Sequence, residues 1–493
     1  MKKYVIVLFT VLLAVAFVSP SFAQNEKKIK VNGVYTAWGL SQQKFFFGKN
    51  NGNDDYFVQM LRFKVQAAAN KYAKAVTRFD IAQGWWGVDN ALRSANRPYG
   101  TYGGSSLFDF KDTNYLFHVD QAYMEFKVPN FPVTMRVGRQ EYRLGNMLVL
   151  DNNLDGIQAD VKAGDTGKIT VGYAKVSEGI DGLSDNGVGA GGSAFGDTDG
   201  RDANLFFANY ASKIGLAQIN AFGLYYKDAG DGDGKTYVPD DLQYFRARFT
   251  PNISSLAIIG LAPNFKFGKL AVNGEFDYLT GKDNVANTTF GPKQRHDINN
   301  GDISGFNLYL KPTFKASPKV KLGGVVGIGS GDKDVTSGKG NVNKLRTSGF
   351  FYVTEIWEDS IMPDEEGITP QGLGAPNTRG YRELENTTLL QANITLKPIQ
   401  KINAFGSFTL INATQPVHAW TVTNGKTTIL SANSKALGSE ADFKIDMKIY
   451  PKLIWTVRGG IFIPGDAAGY LINGTNKWND KPVELKTTLT VKF

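Results

Sequence analysis

The last eleven residues alternate without a break: Val483, Leu485, Thr487, Leu489, Val491 and Phe493 lie on one side of an extended chain, and Glu484, Lys486, Thr488, Thr490 and Lys492 on the other. A side-chain period of two describes a strand with one face turned to an apolar medium, because a helix would mix the two sets. Ala441, Phe443, Ile445, Met447 and Ile449 alternate in the same way with Glu440, Asp442, Lys444, Asp446 and Lys448. So do Leu270, Val272, Phe276 and Tyr278 against Asn273, Glu275 and Asp277, and Leu61, Phe63 and Val65 against Arg62, Lys64 and Gln66. Each such strand is expected to carry one apolar and one polar face.

The connections between these segments fall into two classes that take turns. Tight ones occur at 70–71, 129–132, 164–167, 212–215, 264–268, 316–318, 398–400 and at Pro451; long ones intervene, the longest at 331–385. Short turns on one rim and long loops on the other are the construction of an outer-membrane barrel, with the short turns periplasmic. A secreted sandwich or propeller gives no reason for this difference. Eighteen segments are counted: 28–40, 56–69, 71–84, 115–128, 132–140, 154–163, 167–177, 203–212, 216–227, 241–263, 269–281, 304–314, 319–330, 386–397, 401–411, 437–450, 452–463 and 483–493. The even number returns both ends to one side. The tenth is read as one strand bent at Pro251, and 420–430, folded about Asn424-Gly425, as an outer loop. The fold class expected is therefore all-β, a transmembrane antiparallel β-barrel of about 18 strands. Interfacial aromatics are expected at Tyr35, Phe79, Tyr225, Tyr278 and Trp455.

Composition narrows the function. The 493 residues contain no cysteine and three scattered histidines, His118, His296 and His418, which excludes thiol chemistry, Cys-ligated metals and a His-rich metal centre. No cofactor is expected. Lys2 and Lys3, an apolar stretch from Tyr4 to Val18 and Ser21-Phe22-Ala23 form a secretory signal peptide over 1–23. Its removal takes the formal charge from +9 to +7, and 24–493 is expected to be one barrel. The expected location is the bacterial outer membrane, with outer-membrane lipid and lipopolysaccharide around the wall, the barrel assembly machinery reading Phe493, a small solute inside, and no nucleic acid.

On the face opposite the apolar one, bases outnumber acids nearly two to one. The pore-lining candidates are Arg62, Lys64, Lys74, Arg78, Arg136, Gln140, Arg246, Arg248, Lys444 and Arg458. Charges of one sign in a narrow aqueous passage concentrate counter-ions and set selectivity. Two readings stand side by side: a pore for anionic or sugar-acid solutes, and a wall in which arginines and acids brace one another. Val119-Asp120-Gln121-Ala122-Tyr123-Met124-Glu125-Phe126, the turn at Pro129, Met135-Arg136-Val137-Gly138-Arg139-Gln140 and Asp155-Gly156 resemble the alginate-export family of outer-membrane porins. That resemblance covers roughly 115–160. It implies an 18-stranded barrel with a basic lumen passing a polyuronate, and makes Arg139 a lumen base. Alternation instead puts Arg139 on the face of Val133, Met135 and Val137, so it lies at the outer rim or a bulge re-aims it.

Arg139 and Arg143, with Glu358, Asp359, Arg379 and Arg382 from the longest loop, are candidates for the rim or a constriction, which this loop is expected to form by folding inward. Asp197, Asp199, Asp231 and Asp233 are weak calcium candidates without the full spacing of a calcium loop. His118 and Asp120 share a strand but lack a completing nucleophile, so catalysis ranks behind transport. The break in apolar phase at Asp120 predicts a bulge there. The remaining alternative is a barrel that sheathes a partner protein.

Overall fold

The computed structural model describes residues 28–49, 53–86, 118–177, 203–228, 253–283, 301–333, 343, 353–357, 384–423 and 426–493. The strands are β1 (Lys28–Gln43), β2 (Asp54–Ala68), β3 (Ala73–Trp85), β4 (His118–Lys127), β5 (Val133–Leu144), β6 (Leu150–Ala163), β7 (Gly167–Ser177), β8 (Ala203–Ile214) and β9 (Ala217–Asp228). They continue as β10 (Ile253–Phe267), β11 (Leu270–Asp283), β12 (Gly301–Lys315), β13 (Val320–Gly329), β14 (Thr387–Ile399), β15 (Ile402–Thr423), β16 (Lys426–Tyr450), β17 (Leu453–Pro464) and β18 (Val483–Lys492). Each pairs antiparallel with its sequence neighbours, and β1 pairs with β18, so the 18-stranded sheet closes and leaves no edge.

Closure is made at the carboxy terminus. The Gly33 N–H donates to the Phe493 carbonyl, and the Phe493 N–H donates to the Gly33 carbonyl, both at 2.9 Å. The Phe493 ring lies across Gly33, where an added Cβ would stand 2.2 Å from it, and meets Phe63 edge-on at 5.7 Å. Phe493 thus occupies the seam between the first and last strands, and only glycine at position 33 leaves room for its ring. Outward, Phe276, Phe306, Phe408, Phe443, Leu485 and Leu489 are exposed, as a lipid-facing band requires. Tyr225, Tyr278 and Trp455 are exposed on the same face.

Above this band the outward face changes character along one register row. Arg139, Asp155, Lys175, Asn204, Lys227, Ser255, Lys282 and Asp302 stand opposite one another in turn across β5 to β12. Arg139 and Asp155 pair at 3.3 Å, and Lys282 and Asp302 at 2.9 Å. Arg143 lies farther out with Asp151 at 3.4 Å. No register shift interrupts β5, so Arg139 is not re-aimed. It belongs to the outward rim, and the resemblance that made it a lumen base is corrected at this residue.

Three further details differ from expectation. The tenth strand runs to Phe267, and Pro263 sits in its ladder opposite Ile219, where the missing N–H is tolerated beside a gap in the β11 register; Pro251 lies outside the described residues. The 420–430 segment is not separate from the wall, because β15 and β16 run 22 and 25 residues and carry their pairing through three register shifts into it. The connection before β18 contains a helix, α1 (Asp466–Asn473), closed by Gly474 at φ 76°. The 1–23 segment lies outside the described residues.

Candidate functional site

The lumen is the site, and its wall divides by chemistry. On β2 to β7 Arg62, Lys74, Arg78 and Arg136 are matched by acids. Arg62 grips Asp80 with two bonds, Nε at 2.7 Å and Nη2 at 2.8 Å, and reaches Asp120 at 3.5 Å. Arg78 also donates to Asp120, which accepts from Asn153 at 2.6 Å. Lys74 pairs with Glu125 at 2.9 Å, and Arg136 with Asp160 at 3.0 Å. Planar guanidinium forks on carboxylates hold geometry as well as charge. This side of the lumen is a cross-strand brace, the second of the two sequence readings.

Asp120 is its hub, and a bulge puts it there. The β3–β4 register slips between Arg78 and Phe79, leaving Asp120 without a ladder partner. Asp120 and Gln121 are both buried, and both side chains bond to Asn153. The expected bulge is thus present, although strict alternation did not single out Asp120 as a lumen acid. Gln140 faces inward but is 1% exposed; its amide donates to the carbonyls of Arg136, Gly138 and Gly156 at 3.1–3.3 Å. It braces the ladder beside Gly138, whose φ of 119° and close approach to the Ala122 carbonyl exclude a side chain.

Two chain segments fold into the barrel, each held by a carboxylate of the wall. The β5–β6 connection, 145–149, sends the Asn146 N–H to Glu275 on β11 and the Asn146 side chain to the Gly274 carbonyl at 3.0 Å. Asn273 returns a bond to Asn146 at 2.8 Å. The second segment is 353–357, from the longest connection. Glu440 on β16 accepts the N–H groups of Ile356 at 2.6 Å and Trp357 at 2.9 Å. Arg458 holds Glu355 at 2.7 Å, and the Trp357 ring stacks on Phe462 at 4.9 Å.

Each segment roofs an apolar cluster inside the barrel. Leu148 and Val149 pack with Leu205, Phe207, Phe222, Leu224, Leu256 and Ile258. Ile356 and Trp357 pack with Phe47 of the β1–β2 connection, Leu437 of β16, and Leu471 and Ile472 of α1. On β8 to β10 both faces are therefore apolar, with Ile259 and Leu261 turned to lipid. The expectation of one polar face per strand is corrected there, because an inward segment and not water covers the inner face.

Further lysines gather at the periplasmic end of β12 to β18. Lys315, Lys319, Lys321, Lys397, Lys401, Lys448 and Lys492 border a cavity of about 650 Å³ whose described lining includes one carboxylate, Asp446. Lys444 stands 3.7 Å from Asp446. Lys64 is half-buried on the inner face, opposite Arg78. Arg246, Arg248, Glu358, Asp359, Arg379 and Arg382 lie outside the described residues, as do the calcium candidates Asp197, Asp199, Asp231 and Asp233.

No protein-family model matches the chain, and no curated protein matches it. Solved structures do. Pseudomonas aeruginosa OpdK in complex with vanillate superposes with a TM-score of 0.50 at 9% identity, covering 94% of this chain and 98% of that one. A second structure of the outer-membrane protein OpdK from the same organism gives the same values. The fold is that of an outer-membrane porin. With its closed 18-stranded sheet and lipid-facing apolar band, this porin fold belongs in the bacterial outer membrane.

Proposed function

We propose that the protein is an outer-membrane channel for small anionic solutes, with sugar acids inside that class. The observation that carries this reading is the charge imbalance of the inner wall. The acids of β2 to β7 brace Arg62, Lys74, Arg78 and Arg136, whereas the seven lysines bordering the cavity of β12 to β18 meet, among the described residues, one carboxylate, Asp446. A low-dielectric wall with such an excess draws anions in and repels cations. The OpdK complex holds vanillate, itself a carboxylate. The resemblance over 115–160 to alginate-export porins favours uronates within the class.

Transport is favoured over catalysis because the inner-wall carboxylates named above are engaged in braces or in anchoring the inward segments. A sheath around a partner protein is disfavoured because segments 145–149 and 353–357 already occupy the interior. The test is the reversal potential of refolded protein in a planar bilayer under a salt gradient. An anion-selective potential, with conductance reduced by added glucuronate, is expected. Cation preference, or no conductance, would overturn the assignment.

A further inference from the structure

The cavity at the periplasmic mouth concentrates lysines, seven of which border it. Lys315 on β12 stands directly opposite Lys321 on β13 in the ladder. The Lys397 N–H donates to the Lys319 carbonyl at 2.7 Å, and the Lys448 N–H to the Lys401 carbonyl at 2.8 Å, so two more lysine pairs sit on adjoining backbone. Lys492 completes the rim. Like charges placed across a ladder repel, so the cluster carries a cost that a bound polyanion relieves. Among the described lining residues only Asp446 is a carboxylate that could offset them. Asp446 already accepts the Thr456 hydroxyl at 2.8 Å and faces Lys444.

We propose that this vestibule is a binding site for small multivalent anions, those bearing three or more negative charges on neighbouring groups, such as condensed phosphates or tricarboxylates. The proposal rests on the channel reading for its role in transport, although binding itself needs no conduction. A single carboxylate would offset one of seven ammonium groups. A trianion inside a space of about 650 Å³ meets several at once. The described lining contains no arginine, so recognition here counts charge and does not match a planar fork. Lysine ammonium groups on flexible stems adapt to phosphate or carboxylate alike, and Thr395, Thr490 and Asn403 add neutral polar groups. An anion leaving the lumen would pause at this mouth, held by charge and released as salt rises.

The test is isothermal titration of the refolded barrel in non-ionic micelles, where the periplasmic mouth is open whether or not the pore conducts. The probes are inorganic triphosphate, citrate and acetate at matched ionic strength. Triphosphate, citrate or both should bind at least tenfold tighter than acetate, and the pair shows whether phosphate or carboxylate chemistry is preferred. The K321Q/K397Q/K448Q variant should lose tenfold or more of that affinity. K227Q/K282Q/K477Q, with the same change in charge on outward or outer-loop lysines, should lose less than twofold. Acetate binding as tightly as both trianions would overturn the proposal, as would equal losses in the two triple variants. A sealed barrel in the bilayer that still binds trianions in micelles would sink the channel reading and leave this site standing.

Discussion

Replacing Glu440 with alanine removes the acceptor of two buried N–H groups, those of Ile356 and Trp357. A buried donor left without a partner costs about 1–3 kcal/mol, so the pair costs about 2–6 kcal/mol. The segment keeps its Arg458–Glu355 ion pair, the stack of Trp357 on Phe462 and the bond from Gln391 to the Val353 carbonyl. The lower end of the range is therefore the better figure. About 2 kcal/mol shifts the ratio of undocked to docked segment by about 30-fold. Because the chain has no cysteine, a thiol placed at Thr354, which is 1% exposed, reports undocking by its rate of maleimide labelling. In the E440A background that rate should rise at least tenfold, with brief steps to higher conductance in single-channel records. The barrel should still migrate as a folded species on unheated gels. A labelling rate within twofold of the parent would refute the idea that this carboxylate holds the segment.

Glu275→Ala should loosen 145–149 by about 1–3 kcal/mol, less than Glu440→Ala does to its segment, because Asn146 keeps its bonds to Gly274 and Asn273; hydrogen exchange at 145–149 measures it. Asp80→Ala leaves Arg62 only its longer contact with Asp120 and should cost about 1–2 kcal/mol in urea unfolding from vesicles, while the double variant R62M/D80L recovers most of that loss. Gly33→Ala should lower the folded fraction at assembly in the full chain but cost nothing further once Phe493 is deleted, since the clash is with that ring; equal losses in both backgrounds would contradict the seam described above.

Much of this fold was legible because a barrel in a membrane writes a period of two into nearly every strand. Val483 to Phe493 and Ala441 to Ile449 carried their inward and outward faces without ambiguity, and the turn and loop lengths carried the direction. Alternation stopped being informative where the inner face is dry. At 256–262 both sides of the strand are apolar, and nothing local tells that Leu148 and Val149 arrive from elsewhere to cover one of them. The candidate site was legible as a set of bases but not as a division among them. Arg62, Arg78 and Arg136 look in sequence like Lys321 and Lys397. What separates them is the acid on the neighbouring strand, a relation between distant residues. Asp120 shows the intermediate case: its break in phase was visible, but the partners it gathers were not. Arg139 was placed by alternation against a family resemblance, and the uninterrupted register of β5 decided for alternation.

The charged row from Arg139 to Asp302 is also a ruler. On β9, ten steps of chain separate Ala217 at the short-turn rim from Lys227 in the row. At about 3.3 Å per step and a tilt of about 45°, that is about 23 Å measured along the membrane normal. The barrel therefore carries a written thickness, with polar groups beginning where hydrocarbon must end. A bilayer much thicker than this would have to thin locally or tilt the barrel, and either distortion favours residence in the thin outer membrane over any other the chain meets on its way there.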